Sequence, residues 1–196
     1  VIISIRPLNP TDLPAIADLH LKYLTSYLPH CLQSISLLSL YYLSLCEIGN
    51  IALAAYNNEE IVGFICIVNS TKSIFLYQLR KYFFQTIINV TALICLNRLK
   101  PWHFIKDLVE RLKYFRKRIN LPELRPIVVH QDFQDAKVAK SLVTAAEMAL
   151  RNKGLHRYFL RVQSNNLRAL RFYEKNGFTV KAREGNAILV MEKILT

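Results

Sequence analysis

The chain has no CxxC pair, no long uninterrupted apolar run, no internal repeat and no low-complexity stretch. Each absence removes a class of protein. Its four cysteines, Cys31, Cys46, Cys66 and Cys95, lie singly in apolar stretches, where a free thiol packs as a small hydrophobe. A disulfide framework and a zinc site are therefore not expected, no metal is expected, and a reducing cytoplasmic setting fits this usage. The apolar stretches Ile35–Cys46 and Phe83–Leu96 are broken by polar residues and fall short of the ~20 residues that span a bilayer. Residues Val1–Leu8 and the following Asn9-Pro10-Thr11-Asp12 lack the basic, apolar and cleavage regions of a signal peptide. No cysteine stands in a Cys–His constellation that would suggest a covalent enzyme intermediate.

Acidic residues are scarce in one segment only. Between Lys72 and Arg118, eleven Lys and Arg face only Asp107 and Glu110, so this stretch carries +9 of a formal net charge of +12. The rest of the chain is mildly basic. A charge confined to one segment does not make the whole fold a nucleic-acid binder, and no RNA- or DNA-binding motif accompanies Arg116-Lys117-Arg118. With 52% hydrophobic residues in 196, the chain reads as one globular domain, 1–196, with a core of its own.

Periodicity supplies the elements. Val1–Ile5 reads as a strand. Asn9–Asp12 supplies caps for a helix through Leu13, Ile16, Leu19 and Leu24, and Leu32–Leu45 reads as a second, buried helix. Ile51–Tyr56 and Ile61–Val68 flank Asn57-Asn58-Glu59-Glu60 as a hairpin. Ser73–Leu96 and Trp102–Arg118 are expected to be helical. In the latter, Trp102, Ile105, Leu108, Val109, Leu112 and Phe115 share one face. Together they form a basic helical hairpin, about 73–118, inserted between two strands.

Further on, Leu124–His130 reads as a strand, Val138–Lys153 as a helix capped by Gly154, Arg157–Gln163 as a strand and Leu167–Lys175 as a short helix. Phe178–Arg183 and Asn186–Glu192 close the chain as a hairpin. The order implies an α/β fold with a mixed sheet.

The segment Asn166, Ala169, Tyr173, Glu174, Lys175, Gly177 and Phe178 matches an N-x-x-A-x-x-x-Y-E-K-x-G-F pattern. About thirty residues upstream, Val129, Phe133, Gln134 and Ala139 match V-x-P-x-[YF]-[RQ]-x-x-G-x-[GA]. Ile5-Arg6-Pro7, Asp12-Leu13 and Ile61-Val62-Gly63-Phe64 agree with the same family, and the agreement covers nearly the whole chain except the insert. By these motifs the sequence resembles the GNAT superfamily of N-acetyltransferases. Gln131 stands where proline is usual. Lys137 stands where the central glycine is usual; it keeps the backbone N–H but adds a side chain whose ammonium could meet the pyrophosphate. Asp135 adds a negative charge to the same loop.

The resemblance implies the GNAT fold, a mixed, largely antiparallel sheet flanked by helices that splays where the co-substrate inserts. It implies acetyl-coenzyme A as that co-substrate, held by Val128, Val129, Gln134, Asp135, Ala136, Lys137, Val138, Ala139, Asn166, Ala169 and Tyr173. It makes Tyr173 the proton donor to the departing thiolate, and an amide near Val128 or Val129 the group that polarises the thioester carbonyl. An alkyl amine with a pKa near ~10 must lose a proton before it attacks. The resemblance implies Glu123 as the leading base, since it stands six residues before Val129 as a glutamate does in the family's histone-acetylating branch, and His130, an imidazole at the strand end, is the alternative. Asn166 reads first as a helix cap. His20 and His30 lie in the region that covers the acceptor pocket in the family, although a lone histidine in a helical pattern is usually structural.

The expected acceptor is a small anionic amine such as a nucleotide-linked amino sugar. Protein or peptide N-acetylation, and a degenerate domain that binds coenzyme A without catalysis, stay open. So do membrane-surface contact through the insert and a homodimer; nucleic acid is not expected.

Overall fold

The computed structural model describes residues 3–24, 33–114, 119–134 and 136–195. Seven strands form one sheet in the order β1-β2-β3-β4-β5-β7-β6. They are β1 (Ile3–Pro7), β2 (Ile51–Asn57), β3 (Glu60–Val68), β4 (Glu123–Val129), β5 (Arg157–Gln163), β6 (Thr179–Glu184) and β7 (Ile188–Ile194). Every neighbouring pair is antiparallel except β4–β5, which is parallel. The helices are α1 (Leu13–Leu24), α2 (Ile35–Glu47), α3 (Thr71–Lys81), α4 (Phe83–Cys95), α5 (Pro101–Tyr114), α6 (Ala136–Asn152) and α7 (Leu167–Lys175).

The expected β2–β3 hairpin closes in two residues. Asn57 pairs with Glu60, and Asn58 takes φ 55°, a left-handed conformation that asparagine tolerates better than most residues. From Phe64 to Val68 the side chains of β3 alternate between two cores, after a register shift against β2 at Ile61–Gly63 that puts Val62 and Phe64 on opposite faces. Phe64, Cys66 and Val68 pack with α1 and α2, while Val62, Ile65 and Ile67 pack with α6. A strand covered on both faces is apolar along its length, which is why Ile61–Val68 shows no polar alternation. Buried Leu142 and Leu150 anchor α6 on its side of the sheet, and each such side chain contributes about 1.5–3 kcal/mol relative to exposure.

The described residues of the insert between β3 and β4 form three helices where the sequence pattern predicts two. The run from Ser73 to Leu96 breaks at Tyr82, whose backbone (φ −116°, ψ 25°) ends α3 and starts α4. The break is pinned from outside: Lys81 Nζ and Tyr82 Oη donate to the two carboxylate oxygens of Glu47 at the end of α2 (2.5 and 2.8 Å). α3 buries Ile74 and Gln78, and α4 turns Val90 and Leu93 onto the core shared with α1 and α2. On α5, Trp102, Ile105 and Val109 are exposed, so this part of its apolar face is not covered by described residues. Phe115–Arg118 lie outside the described residues.

Candidate active site

β4 and β5 are joined by the single register pair Glu123–Phe159. Beyond it, toward Val129 and Gln163, the two strands part and leave a V in the middle of the sheet. One cause lies in β4 itself. Against β3, Ile127 pairs with Ile65 but Leu124 pairs with Ile67, so three steps on β4 meet two on β3. The extra residue is a bulge at Arg125-Pro126, where proline has no N–H to give a ladder.

The ladder also tells which amides face the V. His130 N–H donates to the Val62 carbonyl at 2.7 Å, and Val128 pairs with Phe64. By the alternation of an antiparallel pair, Val128 bonds toward β3, whereas Ile127 and Val129 present N–H and C=O to the open edge. Of the two amides expected near the thioester, the Val129 amide has the right direction and the Val128 amide does not. Ile127, closer to the apex, is a group that sequence reasoning missed; Pro126 inside a strand was its only signal. Gly63 permits this packing, since a Cβ there would lie 2.8 Å from the Val128 carbonyl oxygen and 3.3 Å from Val129 Cα.

Both base candidates lie on the α1/α2 face of the sheet. Glu123 pairs with Val68, which faces that side. The Glu123 carboxylate is buried, and its Oε1 accepts from Arg125 Nε and Arg161 Nη1, each at 2.8 Å. Arg161 also holds Glu184 by two bonds, 3.0 and 3.1 Å, and its guanidinium stacks over Phe159 at 4.9 Å. Arg161 was not singled out by the sequence, because its partners are 38 and 23 positions away.

His130 continues β4 and is clasped by α1. Its Nε2 lies 3.2 Å from Lys22 Nζ, its ring meets Tyr23 edge-on, and its Nδ1 lies 3.5 Å from the Asp132 carboxylate. The same Nδ1 accepts from the Asp132 N–H at 3.4 Å, so the ring caps the short 3-10 turn that follows β4. The Tyr23 hydroxyl accepts from Gln131 N–H at 3.1 Å. His20 is instead buried among Tyr42 and Phe64, with Nδ1 2.5 Å from the Tyr42 hydroxyl. Burial lowers its pKa to about 4, so it is a neutral core histidine at physiological pH. His30 lies outside the described residues.

Tyr173 lies on the other face. It packs against the core that α6 covers, on the side of the sheet whose rim also holds Ile127, Val129 and Ala169, edge-on to Phe172 and Phe178. Burial pushes its hydroxyl up to about 12, so it keeps its proton throughout the physiological range. Among the described residues no hydrogen bond engages that hydroxyl. Behind it, Glu147 accepts from both Tyr158 Oη and Lys193 Nζ at 2.6 Å, a buried network that fixes β5, β7 and α6 around the Phe178 ring.

The remaining residues lie around the two helix starts. Gln134 is exposed after a short 3-10 turn at Gln131–Phe133, and α6 opens at Ala136, with Lys137 exposed, Val138 buried and Ala139 half-buried. The first turn of this 17-residue helix, which follows β4 in the chain, carries N–H groups that its own ladder does not use and a partial positive charge. Asp135 lies outside the described residues. Asn166 caps α7, its Oδ1 accepting from Ala169 N–H at 3.1 Å. No cluster of three metal-ligating side chains occurs among the described residues, and no helix there is long and apolar enough to cross a membrane.

A mixed sheet whose one parallel pair opens into a V, with a long helix following the first strand of that pair in the chain, is the frame of a coenzyme-A-dependent acyltransferase. The model of the acetyltransferase (GNAT) family matches residues 13–178, and the chain belongs to that family. Solved structures agree over the whole length. PaiA N-acetyltransferase from Thermoplasma acidophilum, in complex with coenzyme A, superposes with a TM-score of 0.64 at 19% identity, covering 99% of each chain. The ribosomal-protein-S18-alanine N-acetyltransferase from Escherichia coli gives 0.62 at 15% identity, covering 100% of this chain and 95% of its own. YncA from Salmonella typhimurium, with its cofactor acetyl-CoA, gives 0.61 at 15% identity over 100% and 95%. No curated protein matches the sequence significantly.

Proposed function

We propose that this acetyltransferase moves an acetyl group from acetyl-coenzyme A to a primary amine, and that the V between β4 and β5 is where it does so. The observation that carries the reading is the open β4 edge, with Ile127 and Val129 amides directed into the V and Tyr173 and the candidate bases on its two faces. The residues fit the donor. An unpaired strand edge can accept the amide-bearing arm of coenzyme A as an added strand, the α6 N-terminus suits a pyrophosphate, and the lining from Ile127, Val129, Ala169 and Tyr173 is apolar. When bound, acetyl-coenzyme A supplies an activated acetyl thioester.

The chain's own residues do the rest. The Ile127 N–H polarises the thioester carbonyl, with Val129 pairing further out along the arm; a fixed backbone donor of this kind typically contributes ~10²–10³ in rate. Glu123, on the acceptor face at the apex, takes the proton that the acceptor's ammonium must lose before the amine attacks. A carboxylate has about four lone-pair sites, so its two guanidinium bonds hold it in place without excluding that role. Tyr173, from the opposite face, gives a proton to the departing sulfur. The C–N bond forms as the C–S bond breaks, with no acyl-enzyme. Lys137 offers its ammonium to the pyrophosphate in place of the close approach that glycine would allow.

For the acceptor we propose a small anionic amine such as a nucleotide-linked amino sugar. The insert's two ends meet the sheet at Val68 and Glu123, which pair at the apex of the V. The +9 segment gives this side of the sheet a positive field that draws in anions. Calorimetry with acetyl-coenzyme A tests the donor site: no binding at millimolar concentration leaves the degenerate domain as the reading. A screen of nucleotide amino sugars, peptide N-termini and polyamines at two ionic strengths tests the acceptor. An anionic acceptor shows a Michaelis constant that rises with salt, and preference for a polyamine overturns that part.

A further inference from the structure

α4 is a helix without a single charged residue. Its inner side, Val90 and Leu93, packs on the core with α2. Its outer side exposes Phe84 (78%), Ile87 (46%) and Ile88 (67%), and the chain beyond its end exposes Leu96 (65%) and Trp102 (72%). The spacing i, i+3, i+4 places the first three on one stripe. A helix apolar on both sides is expected to be covered on both, and among the described residues nothing covers this one. Exposed cations frame the stripe, with Arg80 before it and Arg98 and Lys100 after it. The apolar stripe takes no part in the acyl-transfer site, whereas the three cations belong to the +9 segment whose field is assigned above to the acceptor.

We propose that the outer face of α4, with Leu96 and Trp102, docks the enzyme onto an anionic lipid surface. Thirteen residues make a helix about 20 Å long, too short to span a bilayer but suited to lying in its interfacial plane with aliphatic and phenyl side chains inserted. Exposed Trp102, at the start of α5, has the amphipathic ring that settles at headgroup depth, and Arg80, Arg98 and Lys100 meet lipid phosphates. Charge selects this occupant over a second copy of the chain. Face-to-face pairing would bring together two segments that each hold eleven Lys and Arg against two acids. An anionic bilayer neutralises the same charge.

The test is co-sedimentation of the full chain with vesicles of phosphatidylcholine alone and of equal parts phosphatidylcholine and phosphatidylglycerol. The expected result is binding to the anionic vesicles, weakened by salt, with little binding to the neutral ones. The double substitution Phe84→Asp and Ile88→Asp should lower that binding about 100-fold or more, the loss expected when two large apolar side chains can no longer be buried. Its far-ultraviolet dichroism and its affinity for acetyl-coenzyme A should be unchanged. Arg98→Glu with Lys100→Glu, which leaves the apolar stripe intact, should weaken binding to anionic vesicles only. Absence of binding to either vesicle, or binding that both double variants retain, overturns the proposal. So does a wild-type dimer in sedimentation velocity that the Phe84/Ile88 variant abolishes, because it would assign the face to a second copy. The outcome does not depend on whether the acyl-transfer reading holds.

Discussion

Replacing Gly63 by alanine tests the link between sheet packing and the V. Gly63 sits on β3 opposite Val129, with its backbone conformation unremarkable, so conformational strain is not at issue. Contact is the issue. An added Cβ would stand 2.8 Å from the Val128 carbonyl oxygen and 3.3 Å from both Cα and Cγ2 of Val129. All three belong to β4, and two are backbone or next to it, so no flexible side-chain end can swing away. Relief requires β4 to move by roughly half an ångström, and over-packing of this kind costs about 1–3 kcal/mol. For a chain of this size that corresponds to a fall of roughly 2–4 °C in Tm per kcal/mol. The same movement shifts the Ile127 and Val129 amides. Since a 1 Å misplacement costs about 10²-fold in rate, half of that predicts about a tenfold loss of turnover. Urea denaturation gives the first number without any substrate, and thiol release from acetyl-coenzyme A gives the second. Gly185→Ala is the control: its φ of 60° strains an alanine, but nothing lies within 4 Å of the added Cβ, so it should lower stability without touching acetyl-coenzyme A binding. A Gly63→Ala protein as stable as the wild type would refute the reasoning, because it would mean that β3 and β4 are not held at this spacing.

Tyr173→Phe should lower turnover ~10²-fold or more with little change in coenzyme A affinity; an unchanged rate removes Tyr173 from the mechanism. Because its hydroxyl titrates only near 12, the wild-type rate should show no alkaline loss from this group below about pH 10. Glu123→Gln should abolish the acidic limb of the pH–rate profile if Glu123 is the base. A normal profile with reduced stability would make Glu123 the anchor of Arg161 and pass the proton to His130 or to water. Lys137→Gly should weaken coenzyme A binding in calorimetry if the ammonium meets the pyrophosphate; tighter binding would show that the side chain obstructs. His20, lowered from 6.5 to about 4 by burial, takes up its proton more readily in the unfolded chain. Its contribution to stability is complete above pH 6.5 and is lost as pH falls toward 4, by about 3 kcal/mol. His20→Gln should flatten stability across that window, and an unchanged slope would show that other groups govern it.

Local patterns in the sequence carried the element order and the motif around α7. Asn166 caps the helix because its side chain needs only the N–H three residues on, and Gly177 follows the helix at φ 84° because only glycine takes that conformation freely. The Asn58 turn, the apolar run of β3 and the start of α6 are equally local, so residue order alone determined them, and with them the family. What the tertiary structure decided depends on pairings between distant residues. Pro126 is visible in the sequence, but only the β3 register shows that Val128 faces away from the V and Ile127 faces into it. Glu123 stands out in the sequence only as a candidate base, and its bond to Arg161, itself held by Glu184, forms only when β5 and β6 join the sheet. Tyr82 divides the insert because Glu47, on another helix, holds its hydroxyl. Phe84 and Ile88 are apolar by their chemistry, yet burial belongs to the assembled layers, and the described layers leave them outside. A side chain's type is fixed by the sequence, whereas its neighbours across the sheet are fixed only when the strands pair.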